Sequence, residues 1–342
     1  MAVELIHKSD QAQVLALLQQ SGLAYEKGAD ATYGIYENGE LVATGSRAGN
    51  ILKMLAIAPE QQGGAVLGEL VTELVMSGQR AGHDSLFVYT KPEYVSSFQA
   101  LNFTLLANQE KVALLEYGKG LTNWLDSRKD LIMPGLNGAV VVNCNPFTNG
   151  HRYLIESASQ RVDNLYVFVV KEDRSVFPFA VRYRLVQEGL CDLGNVIQLD
   201  TSRYIVSGAT FPTYFLKKDD SVARIQMELD VTLFASRIAP FFGITRRFVG
   251  TEPNCPLTGG YNLAMQKILP AHNIELEIIE RKQAQTGVIS ASRVRELIGK
   301  NDFNGLAGYV PTTTMAFLQS DESAAIREQL RSDYKNKSLA GC

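Results

Sequence analysis

Apolar residues recur along this chain with two different periods, and the changes of period mark its elements. Over residues 9–20, Val14, Leu15, Leu17 and Leu18 share one helical stripe, with Ser9 or Asp10 as N-cap. The string TYGIYENGELVAT holds two short strands around Asn38-Gly39, a pair suited to a tight primed turn, and so predicts a hairpin. ILKMLAIAP is an apolar strand closed by Pro59, and a glycine-containing loop then leads into a helix over about 66–80. A strand SLFVYT, a helix through KPEYVSSFQALNF ending near Asn102, and a closing strand KVALLEY complete a mixed α/β unit over residues 1–117.

The pattern then breaks. Residues 118–137 mix glycine, proline and charge without clear periodicity and read as a linker. From Gly138 strands and helices alternate. The strands are GAVVVN, NLYVFVV, NVIQLD, TRRFVG and IELEII; the helices cover about 151–161, 180–190, 219–239 and 259–270. Apolar strands spaced by helices predict a parallel sheet covered on both faces, over residues 138–320. Residues 321–342 are charged, then polar, and form a last helix and tail.

Composition narrows the classes. The 342 residues carry 33 Lys and Arg against 36 Asp and Glu, a net charge of −3, so bulk charge does not hold this chain on nucleic acid. A local basic site for a small anion is compatible with that balance. Four scattered cysteines without a CxxC pair fit neither a disulfide scaffold nor a zinc site. The four histidines form no pair at metal-ligand spacing, and no metal-binding motif is predicted. The amino terminus lacks the apolar region of a signal peptide, and no apolar run approaches the roughly 20 residues of a membrane helix. The expectation is a cytoplasmic protein without a membrane or nucleic-acid partner.

Candidate chemistry begins where the first strand of the second unit ends, in GAVVVNCNPFTNGHRYLIESAS. A parallel strand runs through a short loop into a helix, and ligands of open parallel sheets bind beyond the carboxyl ends of the strands. Such a helix start offers amide donors and a positive dipole end to a phosphate. Gly150 permits close backbone approach to a ligand, and Thr148 and His151, three apart, can face it together. Alone, the segment reads equally well as a turn opening a helix. A second segment, TGVISASRVRELIGK, opens a helix at Ser290 or Ser292 and adds Arg293 and Arg295. Hydroxyls, helix-start amides and guanidinium groups suit multidentate polyphosphate binding, although a capped, exposed basic helix has the same composition.

Together, Thr148-Asn149-Gly150-His151 and Ile289-Ser290-Ala291-Ser292-Arg293-Val294-Arg295 resemble the (H/T)xGH and ISSTxxR-type motifs of the nucleotidyltransferase superfamily, in the same order and context. The first domain resembles the GNAT acetyltransferase fold through LKMLAIAPEQQGGAVLGELVTELV and YVSSFQALNF, with Gln62-Gly63-Gly64-Ala65 only an approximate copy of that family's pyrophosphate loop. With NPFTNGHRYLIE, VGTEPNCPLTGGYN and ISASRVR in sequence behind it, the chain resembles the citrate lyase ligase family over about residues 1–320.

That resemblance implies an α/β protein: a GNAT-like α+β domain, then a Rossmann-like nucleotidyltransferase parallel sheet. It implies a ligase that joins acetate to ATP as acetyl-adenylate, then passes the acetyl group to the prosthetic thiol of the citrate lyase acyl-carrier subunit. ATP is then a substrate, with Mg²⁺ bridging its phosphates. The implied catalytic residues are His151, Thr148 and Arg295, with His151 donating a hydrogen bond or placing positive charge at the α-phosphate. The implied ATP-binding residues are Asn145, Pro146, Phe147, Gly150, Lys171, Ser290, Ser292 and Arg293. A nucleotidyltransferase acting on a small phosphorylated substrate is the alternative on the same fold.

Overall fold

A computed structural model describes residues 1–342 except 6, 63–64, 172–174, 205–211, 217–220, 252–255, 282, 285–286 and 341–342. Its contacts divide the chain into two compact units: residues 1–127 together with 206–237, and residues 128–205 together with 238–342. The glycines of the approximate pyrophosphate loop, Gly63 and Gly64, and part of the VGTEPNCP loop lie outside the described residues.

In the first unit the chain runs through β1 (Val3–Glu4), α1 (Lys8–Gln20), β2 (Ala31–Glu37), β3 (Glu40–Ala48), β4 (Ile51–Ile57), α2 (Val66–Arg80), β5 (Leu86–Thr90), α3 (Val95–Gln99), β6 (Phe103–Asn108), β7 (Ala113–Tyr117) and α4 (Gly120–Asp126). The seven strands form one sheet in the order β1-β2-β3-β4-β5-β7-β6. Only β4 and β5 pair in parallel, through Ile51↔Phe87 and Leu52↔Val88. This is an α+β arrangement, as expected of the first domain. Its core gathers Leu52, Leu70, Leu74, Val88 and Leu115 between α2 and the sheet. Asn38 and Gly39 turn the β2–β3 hairpin with φ of 52° and 87°, the left-handed values a primed turn requires.

Several elements differ from the sequence reading for identifiable reasons. Helix α1 starts one residue before Ser9, and Asp10 accepts the His7 amide at 3.1 Å from inside the first turn, so neither Ser9 nor Asp10 is the N-cap. FTLLAN, which alternates weakly, forms β6 because β7 offers it an antiparallel ladder, broken once between Leu105 and Ala107. The aperiodic stretch after residue 117 contains α4, which buries Leu121 and Trp124.

The second unit runs through β8 (Asn137–Val142), α5 (Asn149–Ser159), β9 (Asn164–Val169), α6 (Phe179–Gly189) and β10 (Val196–Asp200). The chain then leaves it. Residues 212–216 and helix α7 (Val222–Leu233) belong to the first unit. There Thr213 donates its amide and hydroxyl to Glu26 at 2.6 and 2.9 Å, the Ala24 amide donates to Tyr214 O at 2.8 Å, and the Tyr214 hydroxyl donates to Tyr89 O at 3.3 Å. The one long helix expected over 219–239 is α7, a π turn over Phe234–Ile238, and α8 (Ala239–Phe241).

Back in the second unit follow β11 (Ile244–Gly250), α9 (Pro256–Ile268), β12 (Glu275–Ile279), a small hairpin of β13 (Gln283–Ala284) and β14 (Gly287–Val288), α10 (Ala291–Gly299), α11 (Thr312–Gln319) and α12 (Ala324–Ala340). The five main strands are all parallel, in the order β10-β9-β8-β11-β12. Valine-rich β8 and β9 are buried almost throughout, which is why they read as continuous apolar runs. The order runs outward in both directions from β8 and β11, so the switch point, where such sheets open a crevice, lies at their carboxyl ends. The first predicted motif leaves from there.

Candidate active site

The loop after β8 is tightly specified. Cys144 takes a left-handed φ of 52°, the Asn145–Pro146 peptide is cis, and Phe147 is fully buried. The Asn145 side-chain oxygen accepts the Phe177 amide at 3.1 Å. Thr148 then caps α5, as Ser/Thr residues do where a helix start leaves amides without partners. Its hydroxyl accepts the His151 amide at 3.3 Å. Asn149 fastens the same turn to the 308–310 segment, donating from its amide to Tyr309 O at 2.8 Å and from its side chain to Gly308 O at 2.8 Å.

His151 is half-buried and stacks on Phe147, with ring centroids 6.1 Å apart and planes 14° from parallel. The Thr148 amide donates to its Nδ1 at 3.1 Å, and the Thr148 hydroxyl lies 2.9 Å from the same atom. An amide can only donate, so Nδ1 is the acceptor. That assigns the neutral tautomer with its proton on Nε2. Burial, and then the positive charge of Arg281, lower the imidazole from 6.5 to about 4. Of the two roles expected of His151, a hydrogen bond or a positive charge, a neutral ring with its proton on Nε2 fits the hydrogen bond.

The second motif docks on the first. Ser290 caps α10 and accepts the Arg293 amide at 3.2 Å. A Cβ added to Gly150 would stand 3.2 Å from Ile289 O and 3.4 Å from Ile289 Cγ2. The close approach that Gly150 permits is thus to the residue before the Ser290 cap, and it brings two helix N-termini together. Arg295 completes the junction, donating from Nη1 to Asn145 O and from Nη2 to Ser292 Oγ at 3.1 Å. Burial lowers the Arg295 pKa in direction, yet a guanidinium stays charged at neutral pH. Ser290 and Ser292 each accept one bond, which leaves each hydroxyl proton free in direction to donate to an anion.

Two other sequence candidates, Arg293 and Lys171, lie differently, and the neighbouring Arg182, Arg184 and Cys144 complete the surroundings. Arg293 is exposed and paired with Glu296 at 2.7 Å. Lys171 follows β9, its amide donating to Thr201 Oγ1 at 3.0 Å and its Nζ lying 5.9 Å from the centre of the Phe179 ring. Arg182 is fully buried, donating to Phe177 O, Asn143 O, Asn143 Oδ1 and Val170 O at 2.7–2.9 Å. It braces the carboxyl ends of β8 and β9 from beneath. Arg184 pairs with Glu322 at 2.7 Å. Buried Cys144 has its thiol pushed well above the ordinary range, so it is no nucleophile at neutral pH. Arg281 was not singled out from the sequence; a basic residue just past the carboxyl end of a parallel strand is the signal that marks it.

The family model "Citrate lyase ligase C-terminal domain" matches residues 137–318. The chain is 38% identical over 331 residues to the [citrate [pro-3S]-lyase] ligase of Escherichia coli K12, a match covering 93% of this chain and 94% of that protein. This chain belongs to the citrate lyase ligase family. The protein of the same description from Haemophilus influenzae is 41% identical over 297 residues, covering 84% of this chain and 88% of that one. The one from Klebsiella pneumoniae is 40% identical over 285 residues, 81% and 83% of the two chains. These matches run through both structural units. Among the described residues no helix is long and apolar enough to cross a membrane, and no three His, Cys, Asp or Glu side chains gather as a metal-holding group.

Proposed function

We propose that this citrate lyase ligase family member makes acetyl-adenylate from ATP and acetate, then acetylates the prosthetic thiol of the citrate lyase acyl-carrier subunit. The observation that carries the reading is the junction of the two motifs: Gly150 against Ile289, and Arg295 from α10 onto Asn145 O. It concentrates two helix starts, a guanidinium and a neutral imidazole donor at the switch point of a parallel sheet, an arrangement suited to a triphosphate.

In the first step an acetate oxygen attacks the α-phosphorus, and the bond to the pyrophosphate oxygen breaks. Acetate is already ionised at neutral pH, so the step needs no protein nucleophile. His151 Nε2–H donates to a non-bridging α-phosphate oxygen, where charge builds. Thr148 holds that ring in the donating tautomer. Arg295, Ser290, Ser292 and Lys171 bind the departing pyrophosphate, while the Asn145–Pro146–Phe147 loop and Gly150 shape the backbone beneath it. In the second step the thiolate of the carrier attacks the acetyl carbonyl carbon, and AMP leaves. Catalysis rests on positioning and electrostatic stabilisation. Mg²⁺ would come with the nucleotide substrate and would offset the charge of its phosphates. A reaction that consumes ATP suits a cytoplasmic protein, and its partners are ATP, acetate and the acyl-carrier subunit, with no nucleic acid.

The test is exchange of labelled pyrophosphate into ATP, with and without acetate, followed by restoration of deacetylated citrate lyase. Acetate-dependent exchange and restored lyase activity are expected. Exchange that ignores acetate but requires a phosphorylated small molecule would replace this reading with nucleotidyl transfer.

A further inference from the structure

The residue that follows the central strand has polar groups that the pyrophosphate site does not use. Asn143 comes directly after β8 and is exposed at the carboxyl end of the sheet, where ligands of open parallel sheets bind. Arg182 Nη1 donates to its Oδ1 at 2.9 Å, and a guanidinium only donates, so this bond fixes which end of the amide is oxygen. Nδ2 then faces Ser175 Oγ at 3.2 Å, and the same hydroxyl lies 3.4 Å from Oδ1. Both contacts are long, so a better acceptor can draw the donors away. An asparagine amide has two N–H donors; Ser175 takes one, and among the described residues none takes the other. Two residues on, Asn145 accepts Arg295 through its carbonyl and the Phe177 amide through its side chain. The loop after β8 thus has α10 on one flank and the 175–177 segment on another.

We propose that Asn143 and Ser175 form the subsite for the attacking carboxylate, a proposal that rests on the acetate-dependent reading above. An in-line displacement keeps the attacking oxygen apart from the departing pyrophosphate, and the guanidinium of α10 serves the phosphates. Two neutral donors whose heavy atoms lie 3.2 Å apart can hold and orient a carboxylate between them. They do so without a full positive charge, which would damp the nucleophilic oxygen. Arg182 acts from behind: its bond to Oδ1 polarises the amide and makes Nδ2–H the stronger donor.

The test uses the full chain and two variants, Asn143→Asp and Ser175→Ala, with the acetate and ATP dependences of pyrophosphate exchange and Tm. Aspartate keeps an oxygen for Arg182, removes the N–H donors, and sets a negative charge against that of the substrate. Losing one neutral hydrogen bond weakens a ligand by about two- to tenfold, and like charge adds to the loss. Asn143→Asp is expected to raise the KM for acetate by about tenfold or more, and Ser175→Ala by about two- to tenfold. In both, exchange at saturating acetate is largely restored, the KM for ATP stays within about twofold of wild type, and Tm is near wild type. A KM for acetate within about twofold of wild type in Asn143→Asp would overturn the proposal. So would a KM for ATP that rises as far as that for acetate, which would assign the pair to the nucleotide or to the fold. Should Asn143→Asp not fold, Ser175→Ala decides by the same comparison of the two KM values. A wild type whose exchange ignores acetate would overturn the ligase reading itself, a distinguishable result.

Discussion

His151 has two ring nitrogens with separate tasks, and two substitutions can divide them. Asparagine places its side-chain oxygen near the position of Nδ1, so His151→Asn keeps an acceptor for the Thr148 amide now bonded at 3.1 Å and removes the Nε2–H donor. Glutamine does the opposite: its amide reaches toward the place of Nε2 and abandons Thr148. Leaving a buried amide without its acceptor costs about 1–3 kcal/mol. In a unit of this size that lowers Tm by roughly 2–4 °C per kcal/mol. Removing one donor to a developing phosphate charge costs about 10²–10³ in rate, by analogy with single oxyanion-hole donors. His151→Asn is therefore expected to fold with near wild-type Tm and to lose acetate-dependent pyrophosphate exchange by about that factor. His151→Gln is expected to show the larger drop in Tm and the milder loss of exchange. Calorimetry and the exchange assay read the two effects separately. Near wild-type exchange in His151→Asn would refute the role of Nε2–H, and equal losses of Tm in both variants would refute the assignment of Nδ1 as the capping acceptor.

The lowered His151 pKa sets a pH dependence. The folded value of about 4 lies below the ordinary 6.5, so the contribution of His151 to stability is complete above 6.5 and is lost as pH falls toward 4. The kcat/KM profile for ATP should accordingly show no His151 limb near 6.5; a limb there that vanishes in His151→Asn would contradict the neutral assignment. Arg295→Ala removes the tie to Asn145 O and should weaken ATP tenfold or more by direct binding, with little change in KM for acetate; unchanged ATP affinity would refute its role. Arg182→Met takes the donor from Phe177 O, Asn143 O and Val170 O and one of the two donors from Asn143 Oδ1, at a cost of roughly 3 kcal/mol or more; an unaltered Tm would show that another group satisfies them.

Much of the second unit was legible because its signals are local. Parallel strands such as NLYVFVV are apolar on both faces, and β9 runs over Asn164–Val169 as read. Ser290 was one of two caps offered for its helix by residue type, whereas Thr148, read as facing a ligand, proves to be the cap of α5. What stayed hidden depends on partners distant in the chain. Strand β6 needs the ladder of β7, and residues 212–216 need Glu26 and Tyr89. Arg281 has an ordinary strand-end sequence, and only the order β8-β11-β12 sets it against Thr251 at the end of β11. The choice between a charged and a neutral His151 stayed open because a motif states which residue stands at a position and not how its surroundings bear on its charge. Arg182 shows the same limit, since an exposed and a buried arginine look alike in a helix.

The excursion of residues 206–237 has a consequence for the order in which the protein is made. The first unit is continuous to residue 127, but its last pieces are encoded 110 residues later, up to residue 237. At about 5–20 residues per second of synthesis, that interval lasts roughly 5–20 s. During it the ribosome delivers β8, β9 and β10, while Glu26 still awaits Thr213 and Tyr89 awaits Tyr214. Neither unit can be finished before the other is begun. The first unit thus matures only after three strands of the second have been made, and a fragment ending at residue 127 would lack the partners of Glu26 and Tyr89.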